Sequence, residues 1–288
     1  MQSVQRTTES EDPSALRLAR GHELTGSLKA LALTVILGLA CRASPAEQGD
    51  VFVAAAADLS FAIKEIVPPF EKQTGYKMKL SLGSSGNFYS QIVNGAPYDV
   101  FLSADMAYPQ KLEAAGLVES GTLVVYALGN IVLWVPNESG FDLSRTGMQT
   151  LADPSIRKIA IANPEHAPYG RAAVAAMEHF DLYSKVRDRL VSGESVLQAA
   201  QFVQSRAADI GIIPLSLAVA PPMRRAGRYW LIPVDSYPRI EQGVVILKRA
   251  GRSGNLAAAR SFLEWIRGSA GREILVRFGF ALPGERSR

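Results

Sequence analysis

Four short runs place hydroxyl, amide or carboxyl groups immediately ahead of a helical pattern. They are Ala56-Ala57-Asp58, Gly83-Ser84-Ser85-Gly86-Asn87, Pro168-Tyr169-Gly170 and Gly193-Glu194-Ser195-Val196. A helix start presents unpaired N–H groups and a partial positive charge, so such a turn suits an anion. The same residue types also cap their own helices, and any one of these turns alone reads as ordinary capping. Four turns meeting at one place would make an anion site from neutral donors. Spacing by itself does not bring them together.

Other candidate chemistry is thinner. Glu165 and His166 stand side by side, but no nucleophile or second metal ligand lies at a recognisable spacing, so a structural loop is expected there. Gly83-Ser84-Ser85-Gly86 lacks the fifth-position glycine of a nucleophile elbow. Asp99 and Asp105 read as a strand start and a helix start. Phe88, Tyr89 and Tyr98 read as core, and Arg224, Arg225 and Arg228 as a solvated basic cluster. One Cys and three His exclude a disulfide scaffold and a multi-cysteine metal site. No free-cation site and no cofactor are expected.

The elements that must hold these turns alternate along the chain. Residues 51–56 (VFVAAA) form an apolar strand, and Asp58 is placed to cap the helix that follows, with apolar positions 61, 62, 66, 67 and 70 and Gly75 as its stop. Further strands are expected at 76–82, 99–102, 130–135, 158–162, 209–213, 229–233 and 243–247. Helices are expected after Asn87, over 106–115, 169–180 and 195–204, and in the closing pair 255–267 and 269–278. A β-α-β-α-β opening implies parallel pairing, and ligands of open α/β sheets sit beyond the carboxyl ends of strands.

The 288 residues carry 31 basic and 27 acidic side chains, a small and dispersed excess that does not point to nucleic acid. With 48% hydrophobic residues the chain is long and apolar enough to fold into a sizeable core. The run ALALTVILGLA at 30–40 follows Lys29 and precedes small residues, which is the pattern of a secretory signal cleaved after Ala46. Cys41, the single thiol, would leave with it. A lipid anchor at Cys41 is the less favoured reading, because Gly38 stands where a lipoprotein signal has Leu, Val or Ile. The exported part, 47–288, then keeps a net charge of +3.

From about 51 to 281 the chain resembles the periplasmic molybdate-binding proteins of ABC transporters. The resemblance is carried by VFVAAAADL at 51–59, GSSGNFYSQIVNGAPYDVFLSAD at 83–105, NPEHAPYGRAA at 163–173, ADIGII at 208–213 and GREILVRFGF at 271–280. It implies an α/β, two-lobed type II periplasmic binding protein fold with two crossover strands and the ligand cleft between the lobes. The crossovers fall near 126–133 and 237–244. Lobe I is then 47–127 plus 240–288, and lobe II is 128–239.

The family holds its oxyanion with hydroxyls and backbone N–H groups. Carried over by position, this implies the Ser85 hydroxyl and the backbone N–H groups of Tyr169 and Val196. Two positions depart: Asp58 stands where the family has a Ser hydroxyl, and Pro214 stands where it has a Tyr. Ser84, Asn87 and Pro214 are additional cleft candidates, and the side chains of Tyr169 or Asn87 are candidates to replace the lost phenol. For Asp58 three outcomes present themselves. It caps its own helix, which is the favoured reading; it accepts a proton from a protonated oxyanion; or it holds a proton itself and donates.

The implied function is that of a monomeric, non-enzymatic, exported solute-binding protein. It captures a tetrahedral oxyanion, molybdate with tungstate as its analogue, and hands it to the permease of an ABC transporter in the inner membrane. The alternative keeps the fold and lets Asp58 select a protonated oxyanion, phosphate- or arsenate-like, or a small organic acid. An enzyme on this scaffold would need Glu165 and His166 in the cleft. A DNA-linked effector domain fits less well, because an export signal precedes the fold.

Overall fold

Residues 49–284 are described by the computed structural model; the expected leader 1–46, its cleavage position and Cys41 lie outside them. Ten strands are formed among the described residues: β1 (Val51–Ala56), β2 (Met78–Gly83), β3 (Val100–Ser103), β4 (Val124–Gly129), β5 (Ile131–Pro136), β6 (Ile159–Ala162), β7 (Leu190–Gly193), β8 (Ile210–Pro214), β9 (Gly227–Leu231) and β10 (Ile240–Ile246). They make two five-stranded sheets, ordered β2-β1-β3-β10-β4 and β7-β6-β8-β5-β9. β1 is parallel to β2 and β3, and β6 to β7 and β8, as βαβ crossovers require. β10 and β5 run antiparallel to their neighbours. Each is a strand that has arrived from, or departed for, the other sheet.

The chain leaves the first sheet at the end of β4 and enters the second at β5, with only Asn130 between them. It returns between Leu231 and Ile240. The closing helices Leu256–Arg267 and Ser269–Arg277 then pack Phe262, Ile266 and Leu275 against β1 and β10 of the first sheet. The central strands are buried on both faces, which is why β1, β3, β5, β6 and β8 read as continuous apolar runs rather than alternating ones. A second core fills the other lobe around Trp134, Leu133, Ile161, Ala173 and Ile213.

Several expectations are corrected. The strand expected at 229–233 begins two residues earlier, β7 was not anticipated, and β4 was covered only by the crossover expected near 126–133. β4 merges with β5 in sequence because a single residue separates them, and β7 is a four-residue, half-buried edge. Asp99 is more than a strand start: its fully buried carboxylate accepts bonds from Phe52 N (2.9 Å), Arg249 (2.5 Å), Ser253 (3.0 Å) and Asn255 (2.9 Å), tying β1 to the short helix Lys248–Arg252 after β10 and the turn that follows it. Arg228 is not a freely solvated member of its cluster, because its guanidinium donates to the carbonyls of Asn137, Ser139 and Phe141. Phe88 is core, edge-on to Tyr98 with ring centres 5.5 Å apart.

Asp58 does not cap a helix. The chain after β1 makes a short 3-10 turn, Ala57–Leu59, and the helix Ala62–Thr74 begins after Phe61; neither start has a side-chain cap. The carboxylate is drawn away by partners that sequence spacing does not reveal.

Candidate functional site

The four turns converge on one tight cavity between the sheets, with a volume of only about 10 Å³. One wall is built from Ala56–Asp58 after β1, Gly83–Ser85 after β2 and Ala104 after β3. The other comes from Ala167–Tyr169 and Val196, where the helices Pro168–His179 and Val196–Gln204 begin. All three contributing strands of the first sheet reach it with their carboxyl ends, as the parallel pairing dictates.

The donors are neutral. Ser84 is the N-cap of the helix Ser85–Val93 and accepts the Asn87 N–H at 3.4 Å. Ser85, buried beside it, accepts the Ala104 N–H at 2.9 Å, so its hydroxyl proton is available to a further acceptor. Val196 opens its helix behind the N-cap Ser195. Pro168 brings no N–H, which leaves the Tyr169 N–H as the leading donor of its helix. These first-turn groups have no acceptor within their own helices. No Lys, Arg or His lines the cavity.

Asp58 forms the cavity's most consequential wall. It is 1% exposed. Its Oδ2 accepts the Tyr169 hydroxyl at 3.0 Å and the Gln242 amide at 2.5 Å, and the Gln242 Nε2 also lies 2.7 Å from the Tyr169 oxygen. The Tyr126 hydroxyl donates to Gln242 Oε1 at 2.6 Å. Asp58 Oδ1 is buried without a partner. Burial raises the Asp58 carboxyl to about 7, against the lowering effect of bonds from Gln242, Tyr169 and backbone N–H groups. Burial, and then the nearby Asp58 charge, push the Tyr126 and Tyr169 phenols well above their ordinary range, so both stay protonated and can donate.

The close approach of Tyr169 depends on Gly129 at the end of β4. A Cβ there would lie 2.1 Å from the Tyr169 hydroxyl oxygen.

Other bonds cross directly between the lobes. Gly86 N donates to the His166 carbonyl at 2.8 Å, Ser216 Oγ to the Asp58 carbonyl at 2.8 Å, and Arg171 meets Asp105 at 2.6 Å with its guanidinium 5.6 Å from the Tyr108 ring centre. The lobes are therefore closed on each other.

Of the expected residues, Asp58, Ser84, Ser85, Tyr169 and Val196 line the cavity. Asn87 and Pro214 do not. Asn87 is held at its backbone by Ser84, and Pro214 ends β8 opposite Ile131. The Tyr169 side chain does supply a phenol, but it points to Asp58 and Gln242. Glu165 and His166 are outside the lining; their side chains are 77% and 43% exposed, and His166 takes part through its carbonyl. Among the described residues, no group of three His, Cys, Asp or Glu is arranged to hold a metal ion.

Sequence reasoning missed Gln242, Tyr126, Ser216 and Ala104. Only Gln242 left a trace: a polar residue, 0% exposed, in the apolar strand β10.

A matched family decides the class of protein. The family described as bacterial extracellular solute-binding protein matches residues 51–281. The chain belongs to that family. Among similar solute-binding proteins, the molybdate-binding protein ModA of Azotobacter vinelandii is 37% identical over 250 residues, 87% of this chain and 97% of that protein. ModA of Rhodobacter capsulatus is 34% identical over 251 residues, 87% and 94% of the two chains. The solved A. vinelandii periplasmic molybdate-binding protein superposes with a TM-score of 0.75 at 36% identity, covering 81% of this chain and 99% of that one. The two-lobed α/β fold is thus that of a solute-binding transport protein.

Proposed function

We propose that this solute-binding protein captures molybdate, or its analogue tungstate, between its lobes in the periplasm and delivers it to the permease of an ABC transporter. The observation that carries this reading is the convergence of the four turns on one small cavity with neutral donors and no cationic side chain. Fixed dipoles in a water-poor cleft stabilise an anion without a counter-ion, because they are strong at low local dielectric and are already oriented. The similarity to molybdate-binding relatives over most of the chain supports the choice of ion.

Asp58 supports a second reading. An ionised carboxylate 4 Å from the ligand costs roughly 4 kcal/mol per unit of ligand charge at an effective dielectric near 20. An oxyanion that brings its own proton, phosphate- or arsenate-like, would turn that cost into a hydrogen bond to the unpartnered Oδ1.

Calorimetric titration of the exported protein with molybdate, tungstate, sulfate, phosphate and arsenate separates these readings. Tight binding of the first two with little response to the others is expected. A response confined to phosphate and arsenate would replace molybdate with the protonated-oxyanion reading.

A further inference from the structure

The buried network around Asp58 has a definite direction. Gln242 Nε2 faces the carboxylate at 2.5 Å; the amide stands this way round because an amide oxygen there would oppose two acceptors. Gln242 Oε1 then accepts, so Tyr126 must be its donor. The two Nε2 protons go to Asp58 Oδ2 and to the Tyr169 oxygen, and the Tyr169 proton goes to Asp58 Oδ2. Every donor in the cluster is spent and Oδ2 already accepts two bonds. A proton placed on Oδ2 would have to displace one of them. A proton placed on Oδ1 displaces no side-chain bond, because Oδ1 is buried without a hydrogen-bond partner, although the Asp58 and Leu59 backbone N–H groups also act on the carboxylate.

We infer that capture of the oxyanion takes up one proton, carried on Asp58 Oδ1, and that Gln242 is the positioning residue that directs it to that atom. This rests on the oxyanion reading above and deepens it. Protonated in this way, Asp58 changes from a repelling charge in the cavity wall to a donor, the part for which the resemblance implies a serine hydroxyl. The bond to be made is O–H on Oδ1, the proton comes from solvent, and nothing is oxidised or reduced.

The groups around the carboxylate leave the proton to Asp58. Tyr126 faces it from β4, Gln242 from β10 and Tyr169 from the helix Pro168–His179, all uncharged, while Ser216 binds its backbone carbonyl. Tyr237, which acts on Tyr169, donates to no carboxylate and accepts the Ile131 N–H. The rim charges Asp105 and Arg171 are paired to each other. The carboxyl value of about 7 places the exchange within a workable pH range.

The test is calorimetry of the full protein with molybdate in two buffers of different ionisation enthalpy, neither of them phosphate, from pH 5.5 to 8.5. About one proton should be taken up per ion at pH 8.5 and almost none at pH 5.5, with affinity falling about tenfold per pH unit above the midpoint. Asp58→Asn, whose amide nitrogen can stand permanently where the proton would be, should bind at pH 8.5 with no buffer dependence. Gln242→Met, which removes a donor to the ionised carboxylate, should move the midpoint upward. A role confined to stability would lower the melting temperature and leave the midpoint in place. Molybdate binding in the wild type without proton uptake at any pH overturns the inference, whether or not the variants fold. So does uptake that persists in Asp58→Asn. Absence of heat with every oxyanion overturns the oxyanion reading and takes the inference with it.

Discussion

The Arg171 guanidinium meets the Asp105 carboxylate at 2.6 Å across the mouth of the cleft, one residue from each lobe. The pair is partly exposed, and Arg171 also lies over the Tyr108 ring. Such a pair contributes on the order of 1 kcal/mol. It exists only when the lobes are together, so its loss should act on opening rather than on the donors. Arg171→Ala should release ligand several-fold faster while the association rate changes little. Stopped-flow displacement checks this, and the double exchange Asp105→Arg with Arg171→Asp should recover part of the loss.

Asp58 ties stability to pH. Its carboxyl is raised from 3.8 to about 7 in the closed protein. The closed form therefore has its full stability below pH 3.8, where the group is protonated in both states. It loses that contribution as pH rises through about 7, by up to about 4 kcal/mol. Without ligand, the melting temperature of the wild type should fall relative to Asp58→Asn between pH 4 and pH 8. Paired thermal scans across that range decide it, and parallel curves would remove Asp58 as the cause.

Gly129 leaves no room for a side chain beside Tyr169. The Cβ of Gly129→Ala would lie 2.1 Å from the hydroxyl oxygen and 2.8 Å from the ring carbon bearing it. The ring has to move, which breaks its bonds to Asp58 and Gln242. Overpacking of this kind costs about 1–3 kcal/mol. Urea denaturation should show that loss, and molybdate affinity should drop by at least tenfold.

Ser85 has two tasks. Its oxygen accepts the Ala104 N–H, which leaves its proton available to a ligand in the cavity that Ser85 lines. Ser85→Ala strands a buried N–H, at about 1–3 kcal/mol, and removes a ligand donor. A tenfold to hundredfold loss of affinity is expected by calorimetry, accompanied by a lower melting temperature.

Much of the architecture was legible because it rests on local pattern. Apolar runs such as Val51–Ala56 and Ile159–Ala162 announce buried parallel strands, and Ser84 and Ser195 announce helix starts. Ser85, Tyr169 and Val196 lie in turns that local pattern marks as helix starts, but their part as donors came from the family resemblance, and they do line the cavity. The Asp58 partners were not legible in that way. Gln242 is 184 residues away, Tyr169 is 111 residues away, and their meeting depends on the passage of the chain between the sheets. A residue type that caps helices elsewhere was captured here by two long-range donors, and only the assembled fold supplies those.

The position of that capture has a mechanical meaning. Tyr126 and Gln242 stand on β4 and β10, the strands by which the chain leaves and re-enters the first lobe, with Asn130 alone joining β4 to β5. The carboxylate therefore sits at the fulcrum of two arms. A change at Asp58 therefore acts beside both crossings at once, by way of Gln242 and Tyr126.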